Sequence, residues 1–344
     1  MTNVAIFGAA GYGGIELIRL LLNHPEVTVT YLGGHSNVGE ELTDLYPHLL
    51  GDLQVEVGPS SVPEALADAT VLFSALPHVV GASLVAEALE TGAKVIDFSA
   101  DFRLRDPAVY ARYYAEHPAP QLLAEAVYGL PELHRAEIRN ACLLAVPGCY
   151  PTGAILALAP AVKAGLVEPR GLIVDSKSGV SGAGRTKLTL GTHFAEINDS
   201  VNAYGVASHR HQPEMEQELS FEEPAQVTFT PHLIPMTRGI LTTAYARLSP
   251  GVNREQVEAA YQEFYAGEPF VRVLPWGKQP ATKHVSGANR CHIGLVIDEL
   301  ARLLIATSAI DNLIKGLSGA ALQCFNLMQG LPETLALDRP AMWP

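Results

Sequence analysis

Cys149 is the residue of this sequence best placed to act as a nucleophile. It follows an apolar run at 143–146 that is typical of a buried strand, and the Pro147-Gly148 pair ends that run. Pro151 suits the first turn of a helix, so the pattern predicts that a helix begins at Cys149. The unsatisfied amides and the dipole at such a helix end favour the thiolate and can stabilise an oxyanion. We therefore predict that Cys149 attacks a carbonyl carbon.

The alternative for any cysteine is a small buried thiol that does no chemistry. This alternative suits the two cysteines that lie in apolar stretches, Cys142 and Cys324. The four cysteines are widely scattered and form no C-x-x-C pair. The sequence therefore predicts neither a disulfide framework nor a zinc site.

The segment from His209 to His211 is the second candidate for chemistry. Acyl chemistry on a thiolate needs a group that exchanges a proton near neutral pH, and histidine has a suitable pKa. Pro213 predicts a helix start, so both histidines should lie on a loop facing a cleft. In an extended segment the two rings would point the same way and Arg210 the opposite way, so spacing does not choose between them. Glu214 is expected to orient one ring or to bind the substrate, and without a third ligand nearby the pair predicts no metal.

Guanidinium groups are the expected holders of an anionic substrate, because they suit both phosphate and carboxylate. Three arginines lie in Gly-rich or loop-like surroundings, with the first as the strongest candidate: Arg103, Arg185 and Arg238. For each of them the alternative is a solvated charge or a structural salt bridge.

The Gly-rich segment 178–184 offers backbone amides and hydroxyls that can form an anion-binding nest, with a flexible turn as the alternative. We predict that Ser178 contacts the substrate and that Ser181 and Gly182 contact the cofactor.

The N-terminal half predicts a doubly wound α/β scaffold for these groups. A strand, a Gly-rich turn, a helix and a second strand follow one another over 4–32, and strand patterns at 71–76 and 95–98 flank a helix at 81–90. This alternation predicts a parallel sheet over 1–148. Beyond Tyr150 strand patterns become more frequent, which predicts an α+β domain with a mixed sheet over 149–310. A helix capped by Asp311 and ended by Gly330 should complete the first domain, within 311–344.

The loop between the first strand and the first helix is predicted to bind a dinucleotide. Its small residues let backbone amides and the helix N-terminus approach a pyrophosphate. The spacing is G-x-x-G-x-x-G, a departure from G-x-G-x-x-G, so a plain tight turn is the alternative. The predicted contacts are Gly8, Ala10, Gly11, Tyr12, Gly13 and Gly14.

The residues after the second strand favour NADPH over NADH. No Asp or Glu stands where an NAD enzyme binds the ribose 2′-hydroxyl, whereas Ser36 and Asn37 can donate hydrogen bonds to a 2′-phosphate. An ordinary polar loop is the alternative. Leu76 and Pro77 follow a parallel strand at its carboxyl end, where open α/β sheets bind ligands, and are predicted to border the cofactor.

Composition narrows the class of protein. A chain of 344 residues suggests two domains, and 48% apolar with 17% charged residues is typical of a compact enzyme. The net charge of −13 opposes binding to nucleic acid or an anionic membrane. No leader or apolar stretch of membrane-spanning length is recognisable, so we expect a cytoplasmic protein.

The motif over 147–152, Pro-Gly-Cys-Tyr-Pro-Thr, resembles the active-site motif of the N-acetyl-γ-glutamyl-phosphate reductase family, which belongs to arginine biosynthesis and to the semialdehyde dehydrogenases. Similar agreement extends over nearly the whole chain, at 8–14, 98–103, 128–131, 178–185, 209–214, 230–233, 238–240 and 311–316. The resemblance implies a Rossmann-type NADP domain and a catalytic domain like that of semialdehyde and glyceraldehyde-phosphate dehydrogenases. It also implies a homo-oligomer, dimer or tetramer.

The activity that the resemblance implies is NADPH-dependent reduction of N-acetyl-γ-glutamyl phosphate through a thioester on Cys149, with phosphate release. It also implies His209 as the first choice for proton transfer and Asn312 as a contact on the nicotinamide side. An aspartate-semialdehyde dehydrogenase and a reductase of carrier-bound aminoadipyl phosphate are the enzymatic alternatives. The remote alternative is a non-catalytic NADPH sensor.

Overall fold

The βαβ unit predicted at the N-terminus is present. Strand β1 spans Thr2–Phe7, helix α1 spans Tyr12–Leu21 and strand β2 spans Val27–Gly34. Residues 4–7 of β1 are fully buried, as expected for a central strand of a parallel sheet that is covered on both faces. The structure is a computed structural model and describes residues 1–186 and 189–343.

A seven-stranded parallel sheet forms the centre of this N-terminal part, with strand order β3-β2-β1-β4-β5-β7-β6. The remaining strands are β3 (Val57–Pro59), β4 (Val71–Ser74), β5 (Lys94–Asp97), β6 (Val127–Tyr128) and β7 (Leu143–Ala145). The strand order turns back at β1, between β2 and β4. Open α/β sheets bind ligands at such a switch point, beyond the carboxyl ends of the strands.

The helices that accompany this sheet are α2 (Leu42–Leu45), α3 (Val62–Ala65), α4 (Val80–Glu90), α5 (Pro107–Tyr113) and α6 (Pro131–Asn140). Both faces of the sheet contribute to apolar cores, and one core cluster joins Phe7 and Leu72 to Val85 of α4. The doubly wound α/β prediction is therefore confirmed.

The second sheet is mixed, as predicted, with strand order β12-β13-β14-β11-β8-β10-β9. Its strands are β8 (Leu172–Ser178), β9 (Asn202–Ala203), β10 (Val227–Leu233), β11 (Ile240–Arg247), β12 (Val271–Val273), β13 (Cys291–Asp298) and β14 (Leu303–Ile310). The pairs β8–β10 and β12–β13 are parallel, and the other pairs are antiparallel.

Helix α7 (Cys149–Lys163) packs on β11 and β14 and against α9 (Gln212–Leu219) and α10 (Arg254–Phe264), whereas α8 (Phe194–Ile197) is a single short turn. All residues of α7 from Tyr150 to Val162 are buried, because the helix is apolar around its whole circumference. Pro160 lies inside it and cannot donate to the carbonyl of Leu156 four residues earlier. The hydroxyl of Tyr265 donates to that carbonyl instead, so the backbone oxygen is satisfied.

The chain divides into two compact units. Unit 1 contains Met1–Pro147, Gly184–Thr186 and Leu317–Asp338, and unit 2 contains Gly148–Ala183 together with 189–316 and 339–343. Helix α11 (Gly319–Met328) belongs to unit 1, whereas 311–316 and the last residues belong to unit 2. The predicted C-terminal segment 311–344 is thus divided between the units. No helix in 1–186 or 189–343 is long and apolar enough to span a membrane.

Candidate active site

Cys149 opens helix α7, as the sequence predicts. Gly148 is the N-cap residue, and its carbonyl accepts the amide of Thr152 at 3.0 Å. Gly148 has no side chain that could cap this helix end, and Pro151 has no amide hydrogen, so the amides of Cys149 and Tyr150 are the first-turn donors that the helix itself does not use. Cys149 is half-buried and lines a cavity of about 360 Å³ in unit 2.

Gly316 is the residue that lets the chain pass close to the nucleophile. It lies in a π-helical turn, Ile314–Ser318, and its amide donates to the carbonyl of Asp311 at 3.0 Å, five residues back. A Cβ at position 316 would stand 2.9 Å from the Cβ of Cys149 and 3.3 Å from its Cα. Such π-turns are frequent at functional sites, and here the turn needs glycine.

We expect Gly316→Ala to lower kcat by about 10²-fold, because the added methyl displaces Cys149 and a shift of about 1 Å is enough for such a loss. Gly81→Ala in α4 is the control, since its methyl would meet only ordinary contacts of 3.4 Å and more. Steady-state rates and the alkylation rate of the thiol measure the effect. Equal rates in wild type and Gly316→Ala would contradict this role.

Glu214 holds the turn that carries the nucleophile. Its carboxylate accepts the amide of Gly148 at 2.6 Å, and the side chain is 1% exposed. This buried charge-assisted bond joins α9 to the N-cap of α7 across 66 residues of sequence. The bond gives Glu214 a positioning role for the nucleophile, and the predicted contact with a histidine ring or with the substrate stays a prediction.

Replacing Glu214 with alanine should lower the free energy of unfolding by about 2 kcal/mol, because the amide of Gly148 would be left buried without an acceptor. Glu214→Gln keeps an oxygen acceptor and is the control. Chemical denaturation of the three proteins tests this. An alanine variant as stable as wild type would show that the bond does not support the turn.

His209 and His211 both line the cavity with Cys149, and their ring centroids are 4.8 Å apart. The segment is a turn, in which the amide of Gln212 donates to the carbonyl of His209 at 3.0 Å. Arg210 lines the same cavity. The expectation that Arg210 points away from the histidines was therefore wrong, because it assumed an extended segment.

The ring of His209 is packed among aromatic side chains, with centroids of Tyr150, Tyr204 and Phe229 at 5.7, 5.5 and 5.2 Å. Burial, assisted by the charge of Arg210, lowers the pKa of His209 to about 4. Its Nδ1 accepts the amide of residue 211 at 3.1 Å, which leaves the proton on Nε2. His209 is thus a neutral hydrogen-bond donor near pH 7.

Two tyrosines complete the cavity, and the sequence did not single them out. The hydroxyls of Tyr150 and Tyr204 are 2.8 Å apart. Burial raises the pKa of Tyr204 to about 12 and that of Tyr150 further, so both remain protonated. No sequence motif marks Tyr204; its only signal is its position shortly before the histidines.

The polar lining also includes Thr189, Thr192 and Asn202, which the sequence missed. Among the lining residues that the structure describes, Arg210 is the charged side chain and none is a carboxylate. The described lining is therefore suited to a neutral or anionic acyl chain, and these lining residues offer no carboxylate for an ammonium group.

The Gly-rich segment after β8 borders this cavity in part. Ser178 and Gly182 line it, and the Ser178 hydroxyl donates to the carbonyl of Gly179 at 2.9 Å. Asn312 is 1% exposed; its amide donates to the Ser181 hydroxyl at 2.9 Å and its oxygen accepts the amide of Gly239 at 2.7 Å. Both Ser181 and Asn312 thus help to hold the segment in place, and cofactor contact remains a prediction for them.

Two of the predicted anion holders have structural partners. Arg238 lies 3.7 Å from the buried carboxylate of Asp311, whose other oxygen accepts the amides of Leu313 and Ile314. Arg103 is 5% exposed, and its Nη2 donates to the carbonyl of residue 98 at 2.8 Å. These contacts favour the structural alternative for both arginines.

Arg103 belongs to a buried polar network in unit 1. Burial raises the pKa of the neighbouring Asp97 to about 7, and the charges of Asp101 and Arg103 act on it in opposite directions. Asp101 accepts the amide of Val79 with both oxygens at 2.9 Å. Val79 has a φ of 71°, which is strained for a β-branched residue, so Asp101 holds the loop that contains Leu76 and Pro77 in an unusual conformation.

The loop of residues 8–14 has the shape that a pyrophosphate needs. Gly8 has a φ of 73°, and a Cβ there would stand 2.4 Å from the carbonyl oxygen of Ala75. A Cβ on Gly14 would stand 2.4 Å from the Gly8 oxygen, so the turn needs glycine at both positions. Helix α1 starts directly behind, with Gly11 as N-cap and no side-chain cap. The residues present therefore fit a dinucleotide phosphate.

Side chains of the polar loop after β2 form hydrogen bonds with one another. The Ser36 hydroxyl donates to the side-chain oxygen of Asn37 at 3.1 Å, and the Asn37 amide donates to Glu40 at 2.8 Å. A 2′-phosphate would have to compete with Glu40 for Asn37. This arrangement weakens the argument that Asn37 by itself favours NADPH over NADH.

The other cysteines differ from the nucleophile in exposure. Cys291 and Cys324 are buried, whereas Cys142 is exposed and not the buried thiol that its apolar neighbours suggested. Within 1–186 and 189–343, no group of three or more Cys, His, Asp or Glu side chains is arranged to hold a metal ion.

Family models match both units. The semialdehyde dehydrogenase NAD-binding domain matches residues 3–141, and the semialdehyde dehydrogenase dimerisation domain matches 149–312. Solved aspartate semialdehyde dehydrogenases share the fold: one from Candida albicans, with NADP, has a TM-score of 0.73 at 17% identity over 96% of this chain and 98% of that chain. Another from Vibrio cholerae has a TM-score of 0.72 at 19% identity, covering 96% and 98%. Fold and domain content together define the semialdehyde dehydrogenase class.

Curated relatives narrow this class. The chain is 50% identical over 344 residues to an N-acetyl-γ-glutamyl-phosphate reductase of Pelotomaculum thermopropionicum, covering 99% of both chains. It is 52% identical to the protein of that name from Symbiobacterium thermophilum, covering 97% of both. The chain belongs to the N-acetyl-γ-glutamyl-phosphate reductase family of the semialdehyde dehydrogenases.

Proposed function

We propose that this enzyme reduces N-acetyl-γ-glutamyl phosphate to the semialdehyde with NADPH and releases phosphate. The observation that carries the proposal is the position of Cys149 at the N-terminus of α7, in one cavity with His209 and His211. The identity to reductases of that name over the whole chain supports the same substrate.

The first half of the reaction is acyl transfer to Cys149. The thiolate bonds to the acyl carbon, the bond from that carbon to the phosphate oxygen breaks, and phosphate leaves with the bonding pair. First-turn amides of α7 and the Nε2–H of His209 are the proposed donors to the oxyanion. Glu214 occupies the amide of Gly148, so that amide is not one of these donors.

The second half converts the thioester to the aldehyde. NADPH, when bound through the loop of residues 8–14, supplies a hydride to the thioester carbon. His211 is proposed to protonate the resulting oxygen and to take the proton back as the carbon–sulfur bond breaks, which restores the thiolate. The net proton consumed is carried by the released phosphate. We prefer His211 because the pKa of about 4 keeps His209 neutral at working pH.

The lining of the cavity supports an N-acylated substrate. A free amino acid carries an ammonium group, for which the described lining residues offer no carboxylate. The acetamido group is neutral and matches hydroxyl and amide partners such as Thr192, Asn202 and Tyr204. Arg210 is the proposed partner of the substrate carboxylate.

A substrate comparison tests this function directly. Purified protein is given NADPH with either N-acetyl-γ-glutamyl phosphate or β-aspartyl phosphate, and NADPH oxidation and phosphate release are followed together. We expect kcat/KM to favour the acetylated substrate by about 10²-fold or more. A preference for β-aspartyl phosphate would assign the protein to aspartate-semialdehyde formation instead. NADPH binding without turnover of either compound would favour the sensor alternative.

We also propose that the protein is a homo-oligomer. The family model for residues 149–312 is described as a dimerisation domain, which supports this state. Light scattering during size-exclusion chromatography tests it, and a monomeric mass at micromolar concentration would contradict it.

A further inference from the structure

Arg185 belongs to a different structural unit from the residues that precede and follow its short segment in the sequence. Residues Gly184–Thr186 belong to unit 1, although Gly148–Ala183 and 189–316 belong to unit 2. The guanidinium carbon of Arg185 lies 5.8 Å from the ring centroid of Tyr46, also in unit 1. Its Nε is buried and has no hydrogen-bond partner among the described residues.

Tyr46 connects this arginine to the Gly-rich loop. Its hydroxyl donates to the carbonyl of Ala10 at 3.0 Å, and Ala10 lies in the loop between β1 and α1. Tyr12, the first residue of α1, is an electrostatic neighbour of the same ring. The Tyr46 side chain therefore contacts both the guanidinium of Arg185 and the backbone of the loop that fits a dinucleotide phosphate.

An anionic phosphate bound at the loop of residues 8–14 would have to be balanced by a cation from elsewhere in the chain. The chain has a net charge of −13, and the loop after β2 places Glu40 beside Asn37 without contributing an arginine. Arg19 of α1 is paired with Glu16 in the same helix. Arg185 offers a planar fork within cation–π distance of the Tyr46 ring.

We propose that Arg185 binds a phosphate group of the dinucleotide cofactor and that Tyr46 orients its guanidinium. This inference rests on the proposed NADPH-dependent function and replaces the substrate role that the Gly-rich surroundings of Arg185 suggested. The phosphate is either the pyrophosphate or the ribose 2′-phosphate, because both carry the same charged oxygens.

Direct titration of the free enzyme tests the proposal without turnover. NADPH fluorescence is followed with wild type, Arg185→Ala and Arg254→Ala, the last being a control that removes an exposed cation paired with Glu258. We expect Arg185→Ala to raise the Kd for NADPH by about tenfold or more, since charge-assisted bonds to phosphate are of that strength. Arg254→Ala should bind like wild type. The KM for the acyl phosphate at saturating NADPH should change by less than about twofold in Arg185→Ala.

Titration with NADH identifies the phosphate. If Arg185 binds the 2′-phosphate, the variant loses NADPH affinity alone; if it binds the pyrophosphate, it loses affinity for both nucleotides. Either result supports the proposal. An unchanged Kd for NADPH overturns it. If the KM for the acyl phosphate rises while the Kd for NADPH is unchanged, Arg185 binds the substrate and not the cofactor.

A second variant keeps the test valid if Arg185→Ala fails to fold. Tyr46→Leu removes the ring but no charge and should also weaken NADPH binding, whereas Tyr46→Phe keeps the ring and should lose less. Equal binding by all three proteins contradicts the orienting role. If the wild-type protein binds NADPH but turns over no substrate, the proposed reductase function is overturned. The titration of Arg185→Ala with NADPH would still test the present proposal. Wild type that binds neither nucleotide would overturn both.

Discussion

Cys149→Ser is expected to lower kcat by at least about 10³-fold and to form no acyl-enzyme, because an alcohol has no thiolate character near pH 7. Its affinity for NADPH should remain that of wild type, since the loop of residues 8–14 is unchanged. Rapid mixing with the acyl phosphate, acid quenching and mass spectrometry of the intact chain would detect the thioester in wild type and not in the variant.

The matched control is Cys142→Ser, which removes the exposed thiol of unit 1. It should turn over normally and still acquire one acyl group. A Cys149→Ser enzyme with near-normal turnover, or an acyl group found on another residue, would contradict the mechanism.

His211→Asn is expected to lower kcat by about 10²-fold or more, because it removes the proposed proton-transfer group. His209→Asn should also be slow, for the loss of an oxyanion donor, but the two variants should differ in their pH profiles. With a pKa of about 4, His209 is neutral above about pH 5, so its charge does not change between pH 5 and 8.

Measured profiles of kcat/KM over this range distinguish the two roles. His209→Asn should keep the ionisations of wild type between pH 5 and 8, because His209 does not titrate in that range. Loss of an ionisation in His209→Asn alone would exchange the roles. Two fully active variants would discard both assignments.

Local rules predicted much of the scaffold. The start of α7 at Cys149 follows from Pro147-Gly148 and Pro151, which act within one turn of the chain. The first βαβ unit and the mixed sheet after residue 150 follow equally from strand and helix periodicity. The assignment of Cys149, His209 and His211 to one place depended on the family resemblance in addition to residue chemistry.

The sequence patterns did not predict contacts between segments that are far apart in the chain. The bond from Gly148 to Glu214 spans 66 residues, and the approach of Gly316 to Cys149 depends on a π-turn without a recognisable sequence signal. The turn that places Arg210 in the cavity is local, but an extended segment was the simpler expectation for His-x-His. The separation of Arg185 into unit 1 depends on tertiary packing, which no spacing rule describes.

The proline within α7 has a consequence for protein engineering. The chemistry depends on the first turn of this helix, whereas Pro160 and the Tyr265 hydroxyl that satisfies Leu156 lie toward its far end. We therefore expect Tyr265→Phe, which leaves the Leu156 carbonyl without this donor, to lower the melting temperature more than it changes the reactivity of the sulfur. Heat tolerance and turnover would then depend on opposite ends of a single helix.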